Sequence, residues 1–139
     1  MKAKNIQLIG NLESGIPQII ITYGTSLTAE GAWVNHLRKT LNQKFPGLIT
    51  LINSGKCRMW SDWGVENLEK LVINKNPDTV FVEFAINDAF SEYKTSVNKA
   101  RKNLKYMVSR IKEVNINCEV VLMLMNHPVG TSLELRPEI

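Results

Sequence analysis

The stretch Ile19-Ile20-Ile21-Thr22-Tyr23-Gly24-Thr25-Ser26-Leu27-Thr28 decides how the rest of the chain is read. Its isoleucines and threonine favour extended backbone, because a branched Cβ packs well on a pleated surface. The apolar run does not alternate with polar residues, as expected for a strand buried on both faces of a parallel sheet. It stops at Gly24, and the small hydroxyl residues beyond it suit a tight turn into a helix. Strand, glycine turn and helix in this order are the opening of an α/β unit.

The residues downstream continue the pattern. From Glu30 to Lys44 the apolar residues Trp33, Val34, Leu37 and Leu41 recur at helical spacing, and Pro46-Gly47 stops the helix. Leu48 to Ile52 predicts a second strand. The segment from Asn53 to Ser61 has no period and reads as a loop, after which Asp62 is expected to cap a helix with the inner face Val65, Leu68, Leu71 and Val72. Asn76-Pro77-Asp78 ends that helix, and Thr79 to Phe84 predicts a third strand. Val97, Ala100, Leu104, Met107, Val108, Ile111 and Val114 then mark a long amphipathic helix, followed by a fourth strand from Glu119 to Met125. Such alternation predicts a parallel sheet with helices on both faces.

The 139 residues, 44% hydrophobic and 22% charged, suit one domain spanning 1–139. The net charge of +4 is scattered, and Lys99, Arg101, Lys102 and Lys105 fall on the expected outer face of the long helix, so nucleic-acid binding is not expected. Cys57 and Cys118 have neither disulfide-scaffold nor zinc spacing, and neither metal nor organic cofactor is implied. Residues 1–18 interleave polar residues with single apolar ones and form no secretory core; no run is long enough for a membrane span. As given, the chain reads as cytoplasmic.

In open parallel sheets ligands bind beyond the carboxyl ends of the strands. Three such ends are polar here: Gly24-Thr25-Ser26, Asn53 to Ser61, and Asn87-Asp88. Ser26 stands where backbone N–H groups at a helix start point outward, a setting that favours an anionic intermediate. Gly24 is expected to let the backbone turn tightly, and Glu30 to complement the helix dipole. Asn87 places a carboxamide donor on the same edge, and such a donor stabilises an oxyanion by on the order of 3 kcal/mol. Each residue also suits a plainer role: Ser26 as a helix cap, Asn87 as a turn former with Asp88 capping the next segment. The pattern is not the nucleophile elbow of α/β-hydrolases, since Thr28 occupies the second glycine position, and it has no phosphate-loop glycines.

Together these residues resemble the SGNH, or GDSL-type, hydrolases, a family of esterases, lipases, acyl-thioesterases and carbohydrate esterases on a flavodoxin-like sheet. The resemblance spans roughly Gln18 to Met125. Gly24-Thr25-Ser26-Leu27-Thr28 is similar to the family's Gly-Asp-Ser-Leu-Thr block, which implies that Ser26 is the nucleophile. Ala85-Ile86-Asn87-Asp88 is similar to its Gly-x-Asn-Asp block, which implies that Asn87 is the oxyanion amide. The second block resembles Asn53 to Arg58; counted to Gly64, the family's oxyanion glycine falls on Arg58, with Gly55 as the alternative donor. Thr25 replaces the family's Asp.

The family's last block, Asp-x-x-His, has no counterpart before Ile139, so the resemblance implies a domain of about four strands that is incomplete at its C-terminus. His36 lies roughly 9 Å along the helix after Ser26. His127 follows the fourth strand, which the resemblance places two positions from the first, roughly 10 Å away. The expectation is therefore a serine ester hydrolase acting on a small acyl ester or acetylated carbohydrate, weakly active or inactive in this chain. A non-catalytic acyl- or sugar-binding module and a functionless truncated product are the alternatives. Apolar surface beside Glu119 to Met125 predicts self-association through the sheet edge.

Overall fold

The structure, a computed structural model, describes residues 6–124 and residue 135. In chain order the elements are α1 (Gln7–Glu13), β1 (Gln18–Gly24), α2 (Ser26–Ala29), α3 (Ala32–Lys44), β2 (Ile49–Asn53), α4 (Ser61–Leu71), β3 (Thr79–Glu83), α5 (Ala85–Asp88), α6 (Val97–Val114) and β4 (Glu119–Leu122). The four strands form one sheet of order β2-β1-β3-β4, parallel at every pairing. This is the α/β architecture that the alternation predicts. β1 is central, with Ile20 beside Leu51 of β2 and Thr79 of β3.

The two-residue period of β1 divides the core. Ile20 faces Leu8 and Leu12 of α1, Leu41 of α3 and Phe45. Ile21 and Tyr23 face the other way, joining Val80, Val82 and Phe84 against Leu68 and Val72 near α4 and Met107 and Ile111 of α6. Each large apolar side chain so buried contributes about 1.5–3 kcal/mol. In α6 the middle of the expected inner face is buried, whereas Val97 and Val114 at its ends are half-exposed. Lys99, Arg101, Lys102 and Lys105 are exposed on the outer face.

Several local expectations change. α1 falls within residues 1–18, where the sequence pattern names no element: Leu8 and Leu12, one turn apart, are its buried face. The carboxylate of Glu119 on β4 accepts the N–H groups of Gln7 at 3.2 Å and Leu8 at 2.9 Å, supplying the cap that the local sequence lacks. Asp62 does not cap α4. That helix begins at Ser61, whose N–H donates at 2.9 Å to the Asp88 carboxylate from α5. Asp88 thus serves a helix 27 residues upstream in the chain, not one after it. The helix expected over Glu30–Lys44 begins at Ala32, and Glu30 ends α2, so it does not complement the start of a helix. The fourth strand runs to Leu122; Met125 lies outside the described residues. Among those described, β4 is an edge strand, as the expected open edge requires. No described helix is long and apolar enough to cross a membrane.

Candidate active site

Parallel pairing brings three chain segments to one edge. The Cα register sets Gly24 of β1 opposite Glu83 of β3, and Thr22 of β1 opposite Asn53 of β2. Ser26 therefore follows β1, and Asn87 follows β3, on strands about 4.8 Å apart.

Ser26 opens the four-residue helix α2, but it is not the cap. Thr25 fills that role: its Oγ1 accepts the N–H of Leu27 at 3.2 Å. The Ser26 hydroxyl has no hydrogen-bond partner among the described residues, and the side chain is half-buried. Gly24 has an ordinary φ, so its purpose is clearance and not an unusual turn. A Cβ there would stand 2.3 Å from the Glu83 carbonyl oxygen and 2.6 Å from Thr28 Oγ1.

The second segment is tied directly to the first. The N–H of Lys56 donates to the Gly24 carbonyl at 2.9 Å, and Asn53 Nδ2 donates to the Thr28 carbonyl at 2.9 Å. Gly55 packs so closely on α2 that a Cβ would lie 2.6 Å from the Ala29 nitrogen. Its own N–H donates to Asn53 Oδ1 at 3.0 Å, so it is already engaged. Arg58 has a φ of 62°, the left-handed region that glycine enters most easily, and its side chain is exposed. Tyr93 holds this conformation by donating its hydroxyl to the Arg58 carbonyl at 3.0 Å. The Tyr93 ring in turn stacks on Trp60, with centroids 4.4 Å apart.

The third segment closes the triangle. Asn87 is buried in α5, and its Nδ2 donates to the Met59 carbonyl at 2.8 Å. An amide nitrogen has two protons. One therefore fixes the Arg58 segment, which leaves the second for another acceptor.

Sequence reading passed over Glu83. This residue is 2% exposed, and its Oε2 accepts from Thr25 Oγ1 at 2.7 Å, Thr28 Oγ1 at 3.1 Å and the Thr25 N–H at 3.2 Å. Burial pushes its carboxyl above the ordinary range, against the pull of those donors. The signal was a charged residue closing the apolar run Thr79-Val80-Phe81-Val82-Glu83-Phe84. Burial likewise raises Asp88, opposed by its hydrogen bonds to Ser61.

The remaining candidates are set apart. His36 is exposed on α3, and His127 lies outside the described residues. Neither thiol is activated: a hydrogen bond with Glu30 raises the Cys57 thiol, and burial pushes Cys118 up to about 11. Among the described residues no cluster of His, Cys, Asp and Glu could hold a metal ion.

No protein-family model and no curated protein matches the chain. Solved structures do. A lipase/acylhydrolase from Enterococcus faecalis superimposes with a TM-score of 0.76 at 23% identity, over 87% of this chain and 64% of its own length. A variant of an acetyl xylan esterase from Geobacillus stearothermophilus gives 0.72 at 20% identity, over 88% of this chain and 67% of its own. A two-domain esterase active on acetylated mannans gives 0.69 at 22% identity, over 84% of this chain and 32% of its own. The chain thus spans about two thirds of the length of the first two. Its fold, an α/β arrangement around a parallel sheet, is the fold of these ester hydrolases.

Proposed function

We propose that this chain carries the nucleophile side of a serine ester hydrolase site. The observation that supports this reading best is the mutual bonding of three strand-end segments, which leaves an uncommitted serine hydroxyl on one and a spare amide proton on another. In this reading Ser26 Oγ attacks the ester carbonyl. The N–H groups of Ser26 and Arg58 and the Asn87 amide receive the oxyanion. Gly55, its N–H held by Asn53, is the weaker candidate donor. The substrate is a small acyl ester or acetylated carbohydrate, in keeping with the acetyl xylan and acetylated mannan esterases that share the fold.

The general base is the part of the site that the described residues do not supply. A serine without its base keeps about a thousandfold to ten-thousandfold acceleration from binding and the oxyanion hole. Hydrolysis of 4-nitrophenyl acetate and acetylated xylo-oligosaccharides by the chain and by Ser26→Ala tests this. A small rate, little changed in the variant, is expected, because binding and the oxyanion hole survive the loss of the hydroxyl. Robust turnover that depends on Ser26 would mean that a base is present and bring His127 back into consideration.

The second reading, a binding module for an acylated sugar, draws on Arg58, a large cation where a glycine-like backbone is needed. Binding of the xylo-oligosaccharide with no turnover above the uncatalysed rate would favour it. In either reading β4 offers an open edge, with Leu122 49% and Leu124 96% exposed, and we expect the chain to self-associate there. A monomeric sedimentation profile at high concentration would remove that expectation.

A further inference from the structure

Glu83 takes no part in the proposed attack on the ester, yet it is the most deeply buried carboxyl at the site. It closes β3 directly opposite Gly24, beneath the turn that carries Ser26. Three donors converge on one of its oxygens, and all three come from Thr25 and Thr28, the residues one before and two after the serine. The other oxygen, Oε1, is buried without a partner among the described residues.

We propose that Glu83 is the positioning residue of the Ser26 turn, acting as a triple hydrogen-bond acceptor that sets Thr25 and, through it, the start of α2. This deepens the serine-nucleophile reading and rests on it for its catalytic meaning. The chain of contacts is short. Glu83 Oε2 accepts a hydrogen bond from the Thr25 hydroxyl, which orients the lone pairs of Thr25 Oγ1 toward the Leu27 N–H. With Leu27 so held, the Thr28 and Ala29 N–H groups reach the Thr25 carbonyl at 3.0 and 2.9 Å, and the turn is complete. Ser26 is the residue enclosed between these fixed points.

The rigidity of this arrangement has a second source. Gly24 leaves no room for a Cβ between β1 and the Glu83 side chain, whose Oε2 would lie 2.9 Å from it. The carboxyl is therefore pressed against the backbone that leads into the turn. The function assigned to Glu83 requires an acceptor, not a charge: both hydroxyls and the N–H donate to a neutral carbonyl oxygen as readily in geometry, if less strongly. Burial raising the carboxyl agrees with this.

The test compares Glu83→Gln and Glu83→Ala by amide hydrogen exchange and by the release of 4-nitrophenol from 4-nitrophenyl acetate above the uncatalysed rate. In Glu83→Ala, exchange at Leu27 should rise at least tenfold while the sheet amides of Ile21 and Val80 hold their protection. In Glu83→Gln, whose amide oxygen can replace Oε2, exchange at Leu27 should stay within about threefold of the parent. The rate above background should follow the same order, through kcat with KM unchanged, because the Ser26 N–H belongs to the same turn. Thr28→Val, which removes one donor, should give a smaller local rise and serves if Glu83→Ala does not fold. Equal losses in the Gln and Ala variants, unchanged Leu27 exchange in Glu83→Ala, or a loss of protection spread evenly over the sheet would each overturn the proposal. A parent protein that releases 4-nitrophenol no faster than the uncatalysed reaction would overturn the hydrolase reading alone, because the exchange measurement does not depend on it.

Discussion

The two sides of the candidate site are built in opposite ways. The Ser26 turn is held from beneath, by a buried carboxyl at the end of β3 and by two buried threonines of the turn itself. The oxyanion side is held from above, by the exposed hydrogen bond of Tyr93, the amide of Asn87 and a left-handed Arg58. Buried bonds are costly to leave unmade, whereas exposed ones exchange readily with water. The turn that carries Ser26 thus rests on buried bonds, while the groups proposed to meet the oxyanion rest in part on an exposed one.

The difference can be broken most severely at Gly24. Gly24→Ala drives a methyl into the Glu83 carbonyl oxygen, a backbone atom that cannot move aside, and should cost about 3 kcal/mol of stability, read as a lower urea midpoint. Asn87→Ala strikes the other side. It should reduce the rate above background by about 100-fold to 1,000-fold while lowering stability by only about 1 kcal/mol. A fall in stability as large as that of Gly24→Ala would show that the two sides are not so different.

Acidity sharpens the contrast at the next level. A carboxyl raised above its ordinary value of 4.5 stabilises the folded protein at low pH relative to high, because the unfolded chain ionises first as pH rises. The parent should therefore lose stability relative to Glu83→Gln as pH climbs from about 4.5 through the raised value, then level off. The loss amounts to about 1.4 kcal/mol for every tenfold weakening of the acid on folding. Asp88, raised in the same direction, is common to both proteins and drops out of the difference, apart from its charge coupling to Glu83. Urea melts of the pair at intervals between pH 4 and 8 give this curve directly, and a flat difference would refute it.

Smaller effects belong to the exposed scaffold. Tyr93→Phe should cost about 0.5–1 kcal/mol, read as a melting temperature lower by a few degrees, and slow the release of 4-nitrophenol. Arg58→Gly relieves the left-handed backbone, offset by glycine's greater freedom when unfolded, and should gain about 0.5 kcal/mol.

The sequence is legible wherever local chemistry dictates the outcome. The strands and the long helices follow from apolar periodicity, and their order follows from the alternation. Ser26 and Asn87 were visible because both stand at strand ends, and Arg58 because a motif there implies glycine. The features that escaped depend on distant partners. Asp62 looked like the cap of α4, but Asp88, in the short helix after β3, takes that N–H. Thr25 looked incidental until Glu83, 58 positions away, made it the anchor of the turn. α1 offered only two leucines at helical spacing, too faint a stripe to separate from coil without the sheet that covers it.

That first helix carries a consequence for how the protein is made. Gln7 leaves the ribosome 112 positions before Glu119, whose carboxylate receives its N–H. Until β4 has emerged, α1 has neither that cap nor the complete sheet beneath it, and a helix of seven residues does not persist alone. The strand that fastens this helix thus emerges long after it.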